Sequence, residues 1–171
     1  MGIIWMLTDP RPTKQRFEWL NNPLNLMHQT VSLGTILLSL VLFYKSYFIF
    51  PTLVIPSAIF GVILFTGGNL FATWARFYMK EHWAPAHGGH NFEKQSKLHT
   101  GGPFQYSRNP IYTGLLLSRI GFFVTLNSWL IIATPFYFWY FNKSILLEEP
   151  LLRKYFGEIY EEYLKKVHRY L

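Results

Sequence analysis

The sequence predicts an all-α fold: a polytopic membrane helix bundle of about four transmembrane helices, including a C-terminal helical hairpin, with an amphipathic helix after it. Three observations carry this. Uncharged apolar runs long enough to cross a hydrocarbon core of about 30 Å recur along the chain, the charged residues gather in the segments between them, and Lys and Arg fall almost wholly on alternate connections. Half of the 171 residues are hydrophobic, 19% are aromatic and 15% are charged, and there is no Cys. That composition excludes a disordered tail, a disulfide-stapled secreted module and a thiolate metal site. The net charge of +7 does not make a nucleic-acid binder of a chain whose basic residues flank apolar runs instead of lining a soluble face, so no nucleic-acid partner is expected.

Residues 1–22 place Trp5, Phe17 and Trp19 among charges, the pattern of a segment lying at a membrane interface. No basic stretch, compact apolar core and cleavage site follow one another as in a signal peptide, and Met6 stands where a myristoylation signal has Ser or Thr. The chain is expected to be retained whole. Residues 23–75 hold two spans, Pro23–Tyr44 and Pro51–Ala75, each without a formal charge and separated by Lys45. A polar loop, residues 76–109, follows.

The apolar run from Ile111 to Phe141 exceeds one ordinary span and is interrupted by Asn127-Ser128, a pair suited to a tight turn. It reads as a helical hairpin over residues 110–147, with arms of about 24 Å that need extra turns at their outer ends. Pro110 suits a first helical position and Asn109 its N-cap. Residues 148–171 form the last segment, with apolar side chains at 151, 152, 155, 156, 159, 160, 163, 164 and 167. That is a helical period with the charges opposite, bent near Gly157.

Arg11, Lys14 and Arg16 lie before the first span, Arg76, Lys80, Lys94, Lys97 and Arg108 between the second and third, and Arg153, Lys154, Lys165, Lys166 and Arg169 in the last segment; the opposite side holds Lys45. Four spans with both ends cytoplasmic satisfy this asymmetry. The whole chain is then a single membrane domain.

The hairpin makes a geometric prediction. Arg108 and Glu148 lie about equally far from the turn, so antiparallel helices bring Arg108-Asn109-Pro110 beside Glu148-Glu149-Pro150. One reading is a structural Arg–Glu pair closing the base of the hairpin. The other is a binding site. The helix beginning at Pro110 offers free N–H groups and a positive dipole end, with Arg108 beside it and the Gly101-Gly102-Pro103 turn upstream, which suits a carboxylate or phosphate. The two acids suit an ammonium group or a sugar diol. A small zwitterion carrying a ribose satisfies both halves.

The ordered segment Leu98-His99-Thr100-Gly101-Gly102-Pro103-Phe104-Gln105-Tyr106-Ser107-Arg108-Asn109-Pro110-Ile111-Tyr112-Thr113-Gly114, then Glu148-Glu149-Pro150-Leu151-Leu152, Phe156-Gly157, Tyr160 and Tyr163, resembles the isoprenylcysteine carboxyl methyltransferase and phospholipid methyltransferase family. Gly67-Gly68 adds a weaker likeness to the glycine motif of phospholipid N-methyltransferases. The resemblance implies an integral membrane enzyme using S-adenosylmethionine, held between the Arg-x-Pro segment, the hairpin and the Glu-Glu pair. Carried onto this sequence, it implies cofactor contacts from His99, Gly102, Pro103, Arg108, Asn109, Tyr112, Glu148 and Glu149, with Arg108, Glu149 and His99 as the catalytic candidates. Asn109 replaces the His common in the prenylcysteine branch, so the acceptor stays open among a prenylcysteine carboxylate, an amine lipid and a thiol. A carboxylate needs no base; an amine or thiol must lose a proton, for which His99, Glu148 and Glu149 are the candidates.

Two alternatives stand beside this reading. His82, His87, His90 and His99 share one polar segment and suggest a histidine-metal membrane enzyme, although their spacing is irregular and no metal ligand is assigned. A non-catalytic membrane scaffold would use Arg108 and Glu149 as a clamp. Trp83 and Pro85 either line a route to the site or anchor the loop. Arg119, inside the third span, is expected to face the bundle, with Ser118 or Thr125 as a partner or near a polar substrate head; Lys143 is free to snorkel.

Overall fold

A computed structural model describes residues 13–80 and 97–171, without the side chains of Thr13, Gln15, Arg16 and Trp19. Trp5, Arg11, His82, Trp83, Pro85, His87, His90 and Lys94 lie outside the described residues, so the histidine-metal reading rests mostly on positions that are not described.

The described residues form five helices and no strand: α1 (Thr13–Leu20), α2 (Pro23–Tyr44), α3 (Val54–Met79), α4 (Pro110–Thr125) and α5 (Thr134–Lys166). α2 matches the predicted first span residue for residue. Asn22 caps it by accepting a hydrogen bond from the Leu24 N–H at 3.0 Å, and Pro23 occupies the first turn, where its missing N–H costs nothing. α3 follows a 3-10 turn at Pro51–Leu53 and runs one turn past the predicted Ala75. Arg76 is therefore a buried helix residue and not part of the loop; its guanidinium closes the helix end by donating to the Lys80 carbonyl at 2.9 Å.

Pro23–Tyr44 and Pro51–Met79 are long and apolar enough to cross a membrane. Their exposed faces are apolar, including Leu33, Leu37, Val41, Ile55, Ile59 and Ile63, whereas the buried positions are Asn25, Ser32 and Ser39 on α2 and Gly61, Gly68, Ala72, Ala75 and the helix-closing Arg76 on α3. Polar and small residues inside, with apolar residues outside, is the distribution a lipid solvent selects.

α3 and α4 run antiparallel in backbone contact. A methyl group on Gly114 would lie 2.5 Å from the Gly68 carbonyl oxygen, and one on Gly121 would lie 2.3 Å from the Phe65 nitrogen. Gly61 and Gly68 on one helix, and Gly114 and Gly121 on the other, recur at two-turn spacing, which keeps the close seam on one face of each. Gly68, the second glycine of the pair singled out in the sequence, is thus a packing residue, while Gly67 faces open space.

The hairpin forms as expected, with Asn127 in a left-handed conformation at φ 47°. Its second arm begins as a 3-10 turn, Trp129–Ala133, because Pro135 has no N–H to give the Ile131 carbonyl. Phe123 lies against Tyr137, with ring centroids 6.3 Å apart, and Tyr112 lies against Phe141 at 5.7 Å. Asn127 also ties the turn to the α2–α3 connection, accepting from the Phe50 N–H at 3.0 Å and donating to the Phe50 carbonyl at 2.8 Å. Both turns therefore lie at one end of the bundle.

The inward stripe of α2 meets α5 and the hairpin turn through polar contacts. Asn25 accepts from the Tyr140 hydroxyl at 2.7 Å, Thr35 and Tyr137 hydroxyls lie 2.6 Å apart, and Ser128 donates to Ser39 at 3.1 Å. His28 stacks on Tyr140, with centroids 4.0 Å apart. Arg119 faces this seam as expected but takes neither expected partner: its guanidinium sits 5.1 Å from the Tyr137 ring centre. Ser118 accepts from Asn69, and Thr125 donates to the Gly121 carbonyl.

The predicted tail helix is continuous with the second hairpin arm. It bends at Gly157, φ 51°, a left-handed geometry that glycine adopts without strain. It ends at Lys166, so residues 167–171 are irregular and not helical, as the period through Val167 would suggest. They form a strap. Its His168 carbonyl accepts from the Arg108 N–H at 2.9 Å, and its Arg169 carbonyl accepts from the Ser107 hydroxyl at 3.1 Å and the Asn109 side-chain amide at 3.2 Å.

Candidate functional site

The site lies at the end of the bundle opposite the two turns, where the start of α4, the middle of α5 and the strap converge. Its floor is apolar. Leu98, Phe104, Tyr160 and Tyr163 are buried with Ala75 of α3, and the Tyr163 hydroxyl donates to the Phe104 carbonyl at 2.6 Å. The Gly-Gly-Pro-Phe segment is thereby pinned from below. Gly102 takes φ 57° over the Tyr78 ring, where a side chain would meet both backbone strain and ring atoms at 2.9 Å. Pro103 is fully buried. His99 lies in this turn region, its ring 5.9 Å from that of Tyr78 and 6.1 Å from that of Phe104.

Asn109 stands at the N-cap position of α4 without capping it. Its amide is drawn away to the Arg169 carbonyl, and the Ser107 hydroxyl instead accepts from the Asn109 N–H at 3.1 Å. The helix start is ordered by Ser107, Pro110 and the strap together.

Arg108 and Glu149 meet as the hairpin geometry predicts, with a guanidinium nitrogen 3.5 Å from the carboxylate and both side chains largely buried. Glu148 accepts a short hydrogen bond from the Tyr112 hydroxyl, so the two adjacent acids are held apart in role. Arg169 completes the arrangement. Its Nε and a terminal nitrogen donate to the two oxygens of Glu149 at 3.0 and 2.7 Å, a forked geometry that matches a carboxylate. Glu149 thus lies between two guanidiniums. The Nε of Arg108 is buried and has no hydrogen-bond partner.

The electrostatics follow from this packing. The hydrogen bond to Glu149 holds the Arg169 pKa above the usual arginine value. Burial first, and then the charge of Glu149, push the Tyr160 phenol up to about 12, so it remains a hydrogen-bond donor at neutral pH. Burial raises Tyr163 in the same direction.

The structure therefore gathers Arg108, Asn109, Tyr112, Glu148 and Glu149 around one helix junction and sets Gly102, Pro103 and His99 in the adjoining turn. Sequence reasoning missed Arg169, which it counted only as one charge of an amphipathic tail. The available signal was the end of the apolar period at Val167, after which a helix had no reason to continue.

The chain can now be set beside known proteins. It is 41% identical over 80 residues to probable protein-S-isoprenylcysteine O-methyltransferases of Oryza sativa subsp. indica and subsp. japonica, a stretch covering 46% of this chain and 42% of each relative. It is 38% identical over 77 residues to protein-S-isoprenylcysteine O-methyltransferase B of Arabidopsis thaliana, covering 44% and 39%. The chain thus spans about two fifths of the length of these relatives. No solved structure matches it. The phospholipid methyltransferase family model matches residues 56–159, from the start of α3 through the glycine seam and the Arg108–Glu149 junction to the bend of α5, and the chain belongs to that family.

Proposed function

We propose that the protein is an integral membrane methyltransferase that binds S-adenosylmethionine at the junction of α4, α5 and the strap and transfers its methyl group to a lipophilic or small acceptor. One observation carries the reading: a largely buried guanidinium with an unpartnered Nε lies beside a buried carboxylate at a helix start. These groups fit the donor's carboxylate, ammonium and ribose. Arg108 and the first N–H groups of α4 bind the carboxylate. Glu149 binds the ammonium or the ribose hydroxyls, and Tyr112 holds Glu148 in place beside it. The Gly102-Pro103 turn and His99 form the adjoining wall.

S-adenosylmethionine supplies an activated methyl group on a sulfonium, so no protein nucleophile is required. The chain's own residues align the reactants and exclude water. A carboxylate acceptor, such as the isoprenylcysteine named for the plant relatives, arrives ionised; an amine lipid or thiol would give its proton to His99 or Glu148. In this reading α2, α3 and the hairpin make four membrane crossings, with the site and both chain ends on the cytoplasmic side, supported by the Lys and Arg asymmetry and by the two turns lying together at the other end.

The test is calorimetry of the purified protein in detergent with S-adenosylhomocysteine, alongside Arg108→Ala and Glu149→Ala variants checked for retained helicity. Saturable binding by wild type that folded variants lose supports the site, and a screen of prenylcysteines, amine lipids and thiols then identifies the acceptor. A well-folded wild type that binds nothing refutes it.

A further inference from the structure

Glu149 is engaged twice. Arg169 takes both of its oxygens, at 3.0 and 2.7 Å, while Arg108 approaches one of them at 3.5 Å. Two guanidiniums, each shaped to receive a whole carboxylate, share a single one, and the buried Nε of Arg108 has no partner. Arg169 takes the whole carboxylate and Arg108 is left with a long approach to one of its oxygens, so the two guanidiniums have a single carboxylate between them and can receive a second.

The two arginines differ in their freedom. Arg108 is 15% exposed and rooted at the start of α4, whereas the Arg169 side chain is 36% exposed and rises from the strap. The strap backbone itself is held on Ser107, Arg108 and Asn109 by three hydrogen bonds. The Arg169 guanidinium can therefore exchange one carboxylate for another while its backbone stays in place. An incoming amino-acid group brings the two charges that such an exchange needs. Its ammonium replaces Arg169 on Glu149, and its carboxylate replaces Glu149 on Arg169. The exchange leaves every buried charge paired, which a ligand carrying only one of these groups does not achieve.

We propose that Arg169 is a binding residue for the α-carboxylate of the methyl donor, forming a clamp with Arg108, and that the Arg169–Glu149 pair is the closed, ligand-free form of this amino-acid subsite. The proposal rests on the methyl-donor reading above and adds to it a residue from outside the segment matched to the family.

The experiment compares two probes by calorimetry: S-adenosylhomocysteine, and its decarboxylated analogue, which keeps the amine and lacks the carboxylate. Wild type is expected to prefer the first. Arg169→Gln should weaken S-adenosylhomocysteine by roughly 10- to 100-fold, the loss of one charge-assisted hydrogen-bonded pair, and bind the decarboxylated analogue at least as tightly as wild type, because its ammonium no longer has to displace Arg169 from Glu149. Arg169→Lys, which keeps the charge and loses the fork, should fall between and serves as the variant if Arg169→Gln does not fold. Parallel weakening of both probes would make Arg169 a structural strap residue and overturn the proposal, as would unchanged affinity for both. Wild type that binds neither probe removes the methyl-donor reading itself; wild type that binds both with parallel losses in the variants removes only the role of Arg169.

Discussion

Gly114→Ala tests how the fold holds the site, because its effect can be worked from the backbone alone. The added methyl would lie 2.5 Å from the Gly68 carbonyl oxygen, 2.7 Å from the Ala72 nitrogen and 2.9 Å from the Ala72 Cβ, where ordinary contact begins at 3.4 Å. Two of these atoms belong to helix backbone, so no side chain can swing aside, and α3 and α4 must part by about 1 Å. Overpacking of this kind costs about 1–3 kcal/mol, and the rigid partners argue for the upper part of that range. Gly67→Ala is the control, since its methyl meets nothing within 4 Å and a helical glycine replaced by alanine gains about 1 kcal/mol. Unfolding by SDS titration in mixed micelles should place the two variants on opposite sides of wild type. The displacement also moves Tyr112, two residues before Gly114, relative to Glu148, so donor affinity should fall with stability in Gly114→Ala and stay unchanged in Gly67→Ala. Equal stabilities for the two variants would refute the close-packed seam.

Further predictions follow from the same contacts. Phe104→Ala removes the buried anchor of the Gly-Gly-Pro-Phe segment, and the loss of about 3–5 kcal/mol should appear as lower unfolding stability together with lost S-adenosylhomocysteine binding. Tyr137→Phe deletes the hydroxyl facing Thr35 at 2.6 Å while keeping the ring under Arg119, so a loss of roughly 0.5–1.5 kcal/mol is expected, measured by the same titration. Tyr160 titrates near 10 in the unfolded chain and at about 12 in the fold. The folded state therefore keeps a proton that the unfolded chain releases, so this contribution is complete below about pH 10 and is lost as pH rises toward about 12. Tyr160→Phe should flatten that part of a stability-versus-pH curve.

Features that depend on one helix were legible in the sequence. Pro23–Tyr44 emerged with correct ends because Asn22, Pro23 and the charge at Lys45 mark both boundaries locally. The meeting of Arg108 with Glu149 was also legible, since an antiparallel hairpin with a turn at Asn127-Ser128 maps sequence distance onto depth. Contacts between segments far apart were not. Arg169 reaches Glu149 because the chain leaves the helix after Lys166, and the groups that draw it away, the Arg108 N–H and the Ser107 and Asn109 side chains, lie some 60 residues earlier. The displaced cap at Asn109 has the same origin: a local preference yielded to a tertiary hydrogen bond. Arg76 was misassigned because a charge at the end of an apolar run looks like a boundary, whereas its guanidinium caps the helix from within.

The polar stripe on α2 bears on the order in which the bundle assembles. During synthesis α2 exists about 100 residues before the part of α5 that satisfies it, and under the membrane reading proposed above its hydroxyls must meanwhile find partners on their own helix. Thr35 shows how, since its hydroxyl also reaches the Val31 carbonyl at 2.8 Å and needs no second helix to enter the membrane. Asn25 accepts from Tyr140 near the end of the bundle that carries the site. Docking of α2 is then completed by the same helix that brings in Glu148 and Glu149, so a nascent chain acquires its sealed interior and its charged junction in one late step.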